Sequence, residues 1–380
     1  MRDAVLVDAV RTPIGKRNGS LKDVHPVDLS AHVLTSLVER TGIDPAVVDD
    51  VIWGVVGQVG EQALNVGRNA VLGAGWPESI PGTTVDRQCG SSQQAVHFAA
   101  AGVLSGQYDV AVAGGVEVMT RVPMGSSIGA NAGFPFGPKM LARYEGQQIN
   151  QGLGAEMVAE KWGLSRQQLD EFSLTSHQKA AAAIDSGAFA GQYAVVPGTG
   201  LEADEGVRRD TTVEKLATLK PAFKEGGVIH AGNSSQISDG SGALLITTSE
   251  KARELGLTPL ARLHTFALAA DDPVIMLTAP IPATAKALAK SGLSIGDIGA
   301  FEVNEAFAPV PLAWLAETGA DPKALNPLGG AIASGHPLGG PGSVLMTRLV
   351  PHMVDNGIKY GLQSMCEGGG MANATILELL

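Results

Sequence analysis

Four short stretches of this chain place reactive side chain types where they could act on a substrate. Cys89 lies in Gln88-Cys89-Gly90-Ser91-Ser92, between an apolar strand and a helix-compatible segment at Gln93–Leu104. A thiol near a helix N-terminus meets unpaired N–H groups and the positive end of the helix dipole. That setting predicts a lowered thiol pKa and a nucleophile, with a buried structural cysteine as the alternative. The small residues after it leave room for a substrate carbonyl. His336 sits in Gly335-His336-Pro337-Leu338-Gly339. A histidine there could serve as a general base, or simply face solvent. Cys366 precedes Glu367 and three glycines, Gly368-Gly369-Gly370. Backbone N–H groups in such a turn suit an oxyanion site beside a second thiol, with a strand-ending cysteine before a flexible turn as the alternative. Asn304, in Asn304-Glu305-Ala306-Phe307, offers an amide at a strand end that could orient water or a substrate oxygen.

The elements that must hold these groups follow from apolar patterning. Ala4–Val10 reads as a buried strand closed by Arg11-Thr12-Pro13-Ile14-Gly15. A helix is expected over Pro26–Thr41, a strand over Asp49–Val56, a helix over Asn65–Ala74 and a strand over Gly82–Asp86. Tyr108–Gly115 is a further buried strand. Strands alternating with helices predict a mostly parallel sheet covered on both faces. After Gly240 the alternation resumes and echoes the first half. Val48–Gly54 aligns with Ile295–Glu302, and Tyr108–Gly115 with Tyr360–Gly370. Between the two, residues 121–239 are richer in glycine, proline and charge. Ser165 with Gln168, flanked by Leu164 and Leu169, marks one helix start there. The expected organisation is an α/β half over 1–120 completed by about 240–255, an inserted loop domain over 121–239, and a second α/β half over 256–380.

Bulk properties narrow the function. The 380 residues carry a formal charge of −11, so nucleic acid is not expected as a partner. With 44% hydrophobic residues a large core can form, while 49 glycines and only 4% aromatics suit close packing of helices on sheets. The N-terminal residues lack a signal-peptide pattern and no apolar run approaches a membrane span, so a cytoplasmic location is expected. Two isolated cysteines make a structural disulfide framework improbable, and no histidine pair has zinc-ligand spacing.

Taken together, Cys89, Asn304-Glu305-Ala306-Phe307, Gly335-His336-Pro337-Leu338-Gly339 and Cys366-Glu367-Gly368-Gly369-Gly370 resemble the thiolase family in order and setting. The resemblance extends through Arg11–Gly15 and Ala231–Gly240 and covers nearly the whole chain. It implies a five-layered α-β-α-β-α thiolase fold and CoA-dependent cleavage of 3-ketoacyl-CoA, reversible as a Claisen condensation. It implies Cys89 as the acylated nucleophile, His336 as its activator and Cys366 as the acid/base for the enolate. Asn304 would hold a water that forms one oxyanion site with His336. The N–H groups of Cys89 and Gly368 would form the other. Ser235 matches a serine touching the pantetheine arm of CoA, and Arg208 an arginine near the nucleotide. Arg209, Lys215, Lys220 and Lys224 would complete a cationic patch against Asp210 and Glu214, with a solvated charged face as the alternative. CoA and acyl-CoA enter as substrates, no tightly bound cofactor is implied, and a homodimer or homotetramer is expected.

Three departures bear on substrate. Ser92 replaces a glycine common in thiolases, and Gly340-Pro341 replaces a small-residue pair. Asn150-Gln151-Gly152 stands where short-chain acetoacetyl-CoA thiolases carry His-Met-Gly, which points toward degradative enzymes for longer or bulkier substrates, including the actinobacterial sterol side-chain type. A biosynthetic acetoacetyl-CoA thiolase and a non-catalytic acyl-CoA-binding scaffold are the alternatives. A hydrolase motif, Gly125-Ser126-Ser127-Ile128-Gly129, lacks the preceding strand it requires. Cys366 argues against a ketosynthase.

Overall fold

A computed structural model describes residues 2–128 and 133–380. The first half runs β1 (Val5–Arg11), β2 (Gly15–Lys16), α1 (Pro26–Thr41), β3 (Asp50–Gly54), α2 (Val66–Gly73), β4 (Gly82–Val85), α3 (Ser91–Ser105) and β5 (Val110–Val118). Four helices follow: α4 (Pro138–Arg143), α5 (Gln151–Lys161), α6 (Arg166–Asp185) and α7 (Val213–Ala217). Then come β6 (Ser238–Thr247), α8 (Ser249–Glu254), β7 (Ala261–Ala270), α9 (Pro280–Ser291), β8 (Ala300–Val303) and α10 (Pro309–Thr318). The chain closes with α11 (Ala331–Ser334), α12 (Pro341–Asn356), β9 (Tyr360–Glu367) and β10 (Met371–Leu379).

Local chemistry sets these boundaries. In α1 the His25 ring accepts from Val27 N–H, Pro26 opens the helix and Gly42 ends it at φ 70°. Leu29, Val33, Leu34 and Leu37 recur at helical spacing and are fully buried. The capping box of α6 is formed as expected from Ser165 and Gln168.

The ten-stranded sheet has the order β4-β3-β5-β6-β1-β7-β10-β9-β8, with β2 on β6. Its two halves, β3-β5-β6-β1 and β8-β9-β10-β7, share one strand order, so the internal repeat is real in topology. Their strands pair at Val5↔Arg262 and Leu6↔Ala261. Helices α3 and α12 lie between the halves, α1 and α2 cover the first, and α9 and α10 the second. Three apolar clusters fill the four interlayer spaces, the middle one lying on both sides of α3 and α12. This is the five-layered arrangement.

The expectation of a mostly parallel sheet is corrected. Only β3–β4, β3–β5 and β8–β9 are parallel. Strands β6 and β10 enter antiparallel beside β5 and β9. A long excursion reverses the chain before β6, and the Gly368–Gly370 turn, with φ 84° and 77° at its last two residues, reverses it before β10. Strands covered on both faces are apolar throughout in either direction, so patterning could not separate the cases.

The excursion is tied to the first half by charge. Buried Arg11 forks onto Asp204 at 2.7 and 3.1 Å, and its guanidinium stacks on Phe189 and Tyr193. Among the described residues no helix is long and apolar enough to cross a membrane.

Candidate active site

The strand-to-helix turn carrying Cys89 packs against the β9–β10 hairpin carrying Cys366. Gln88 adopts φ 48°, which turns the chain sharply just before the cysteine. Its side-chain oxygen lies 2.9 Å from where a Cβ on Gly368 would stand. Arg87 reaches the sulfur of Met371 at 3.8 Å. Asn373 on β10 donates its amide to the Gly90 carbonyl at 3.0 Å. These contacts bring the two cysteines within electrostatic reach of each other.

The third wall is the segment between α11 and α12. The Gly339 carbonyl covers Gly54 and Gly115, whose strands lie in parallel register. Leu338 packs with Cys89 and Met119 in one small apolar cluster. The His336 N–H donates to Ser238 Oγ at 3.1 Å, which fixes the histidine backbone above β6. Ser92, one of the departures, accepts from Ser343 N–H at 3.0 Å and ties the starts of α3 and α12 together.

Burial dominates the titration behaviour. Cys89 and His336 are each 3% exposed and Cys366 is 1% exposed. The Cys89 thiol is pushed up by burial, then by the neighbouring Cys366 and Glu367, against a hydrogen bond from the Gln151 side chain and a backbone N–H. The expected lowered pKa is therefore corrected. Cys89 lies two residues before the first helical residue, and the loss of water outweighs the helix end. Burial lifts the Cys366 thiol to about 11, opposed by the Asn304 amide, which reaches its sulfur at 3.7 Å. Burial also lowers His336 to about 4, and neither ring nitrogen has a hydrogen-bond partner. The resting site thus holds two neutral thiols and a neutral imidazole. In a proton NMR titration the His336 ring is expected to stay neutral through pH 5.5, with a midpoint near 4. A midpoint near the ordinary 6.5 would show that the ring is wet.

Asn304 lies beyond β8, and its side-chain oxygen is buried without a partner. Gly368 is partly buried beside Gln88. Ser235 lies next to this group, because its N–H donates to the Ala306 carbonyl at 2.9 Å. Arg208 is exposed, farther out, with its N–H on His177 Nδ1 at 3.1 Å. The expected cationic patch is largely neutralised. Arg209 pairs with Asp185, Lys215 with Asp210, and Lys224 approaches Glu160. The candidate hydrolase serine, Ser126, sits in an exposed turn with its hydroxyl on the Pro123 carbonyl at 2.6 Å. Gly129 of that motif lies outside the described residues.

Sequence reasoning passed over several residues here. Glu305 accepts from Ser176, Asn326 and Ile332 N–H, clamping the approach to His336. Gln151, noted only as a departure, lies near enough to Cys89 to favour its thiolate. Glu367 counted merely as the spacer after Cys366. No local pattern marks such partners, since each acts across a long sequence separation.

Comparisons with known proteins identify the family. The family model for "Thiolase, N-terminal domain" matches residues 4–250, and that for "Thiolase, C-terminal domain" matches 257–379. The chain is 50% identical over 388 residues to the steroid 3-ketoacyl-CoA thiolase FadA6 of Mycobacterium tuberculosis, covering 100% of this chain and 95% of the relative. It is 44% identical over 390 residues to a 3-ketoacyl-CoA thiolase of Saccharophagus degradans, covering 99% and 98%. The crystal structure of the Bacillus anthracis acetyl-CoA acetyltransferase superposes with TM-score 0.91 at 38% identity, over 100% of this chain and 99% of that one. Two domain matches that together span both halves and the excursion between them leave one assignment: the chain belongs to the thiolase family.

Proposed function

We propose that this enzyme cleaves 3-ketoacyl-CoA with CoA, giving acetyl-CoA and an acyl-CoA two carbons shorter. The observation that carries this reading is the convergence of the buried Cys89 turn, the β9–β10 hairpin bearing Cys366 and the segment bearing His336 in one site. In the first step His336 takes the Cys89 proton as the sulfur attacks the 3-keto carbon. The N–H groups of Cys89 and Gly368 stabilise the oxyanion. The C2–C3 bond then breaks, leaving acyl-Cys89, and the Cys366 thiol protonates C2 of the departing acetyl-CoA enolate. CoA enters, its thiol proton passes to the Cys366 thiolate, and its sulfur attacks the acyl-enzyme. His336 returns its proton to Cys89. Asn304 holds the Cys366 sulfur and, with His336, a water facing the thioester oxygen. Ser235 contacts the pantetheine arm and Arg208 the nucleotide end.

The acyl group is proposed to be larger than acetoacetyl. A pocket of about 320 Å³ lined by Phe134, Phe136, Met140, Leu141 and Ile149 adjoins Asn150, next to Gln151 at the nucleophile. The identity to a relative named for steroid substrates supports the same direction. The enzyme is placed in the cytoplasm as a dimer or tetramer. Edge strand β4, together with exposed Leu64 and Leu72, supports self-association.

The test is CoA-dependent cleavage across a series from acetoacetyl-CoA to long-chain and steroid-derived 3-ketoacyl-CoA. The expected result is a kcat/KM peak on a bulky member, at least tenfold above acetoacetyl-CoA. Equal or better use of acetoacetyl-CoA would overturn the substrate assignment. No turnover of any member by reduced enzyme would overturn the reaction.

A further inference from the structure

The glutamate after Cys366 has no role in the steps above, yet its position is specific. Glu367 ends β9, is wholly shielded from solvent, and neither carboxylate oxygen has a hydrogen-bond partner. Alternation along β9 puts it on the face opposite Cys366, turned toward the start of α3. Its Oε1 occupies the place where a Cβ on Gly90 would stand, and Asn373 Nδ2 lies 2.7 Å from that point. The carboxyl group thus lies directly under the residue that follows Cys89. Any side chain at position 90 would displace it.

The charged and titratable neighbours are few. Asp86, Arg87 and Cys89 face it from the turn between β4 and α3, and Cys366 adjoins it on its own strand. From β10 come Met371 and Asn373, which do not titrate. The Arg87 guanidinium points at the Met371 sulfur, 3.8 Å away, and makes no hydrogen bond to the carboxyl. A buried carboxylate without a close, well-aligned donor is costly, so the group keeps its proton. Burial accordingly raises it to about 8, against the Arg87 charge and the pull of the nearby Asn373 backbone N–H.

We propose that Glu367 is a positioning residue that stores a proton under the Cys89 turn, so that the nucleophile ionises beside a neutral carboxylic acid and is restrained once that acid is charged. This inference rests on Cys89 being the nucleophile. An ionised Glu367 opposes the thiolates of both Cys89 and Cys366. Raising the pH normally increases thiolate about tenfold per unit. Here the same rise removes the Glu367 proton, and the two deprotonations compete. Cys89 reactivity should therefore level off above about pH 8.

Iodoacetamide labelling of Cys89, followed by peptide mass from pH 6 to 9.5 without substrate, reads this directly. Wild type is expected to plateau above about pH 8, whereas Glu367→Gln keeps rising. At pH 9.5 the variant should label about tenfold faster, with equal rates at pH 6.5 as the folding control. A wild-type rate that climbs unbroken to pH 9.5 overturns the proposal, and needs no variant. So do superimposable profiles of the two proteins. Thermal stability gives a second reading. The folded pKa lies above the unfolded 4.5, so this group's contribution is full below 4.5 and is lost as pH rises through about 8. The Tm of Glu367→Gln should fall less than that of wild type between pH 6 and 9, and parallel declines would count against the assignment. Labelling needs no turnover, so this result stands apart from the cleavage assay.

Discussion

Cys89→Ala is expected to lower kcat for 3-ketoacyl-CoA cleavage by about 10⁴-fold or more, while leaving the fold intact. Nothing near the site can replace the sulfur. Ser92 already accepts the Ser343 N–H, and its hydroxyl serves the α3–α12 junction. Cys366 is held by the Asn304 amide in a separate apolar cluster. The small apolar volume removed should cost about 1 kcal/mol. A companion variant separates the two thiols. In Cys366→Ala, Cys89 should still be acylated by a simple acyl-CoA, seen as a mass increase on the Cys89 peptide. Carbon–carbon cleavage should fall about 10²-fold or more, because the enolate loses its proton donor. Acylation lost in both variants, or retained in Cys89→Ala, would overturn the division of roles.

The positions of the chemical groups were legible because each sits at a break in apolar patterning. The turn at Cys89, the glycine-rich segment around His336 and the three glycines after Cys366 interrupt buried strands or helices, and local sequence records such breaks. The helix at Pro26–Thr41 was equally plain, since a proline, a glycine and a regular apolar stripe bound it. Strand direction was not legible. The all-buried β5 and β6 read alike in parallel or antiparallel pairing. Nor were the protonation states of the site. The helix end beside Cys89 is a local feature, but the burial that overrides it comes from Met119, Leu338 and the β9–β10 hairpin, far away in sequence. Glu367 shows the same limit. A glutamate after a cysteine looks like a solvated turn residue until β10 and the α3 turn close over it.

The high glycine content has its sharpest consequence at Gly115. Gly54, Gly115 and Gly339 need no unusual φ, so close approach explains them. A Cβ on Gly115 would collide with the Gly339 carbonyl and stand 2.7 Å from the Gly54 carbonyl. Both carbonyls are backbone and the third neighbour, Ser92 Cβ at 2.9 Å, is fixed to the backbone, so nothing can swing away. Gly115→Ala must therefore move the segment that carries His336 or part β3 from β5. We expect a loss of about 3 kcal/mol in stability from the overpacking. Because Gly339 is three residues from His336, a shift of about 1 Å there should also cut kcat/KM by about 10²-fold. The matched control is Gly191→Ala, where a Cβ meets open space, and stability should hold or rise slightly. Urea unfolding beside cleavage kinetics separates the two effects. Wild-type stability and rate in Gly115→Ala would mean that the His336 segment is held by Ser238 and Glu305 rather than by contact with the glycine strands. A stable but inactive variant would place the whole cost on the position of the histidine.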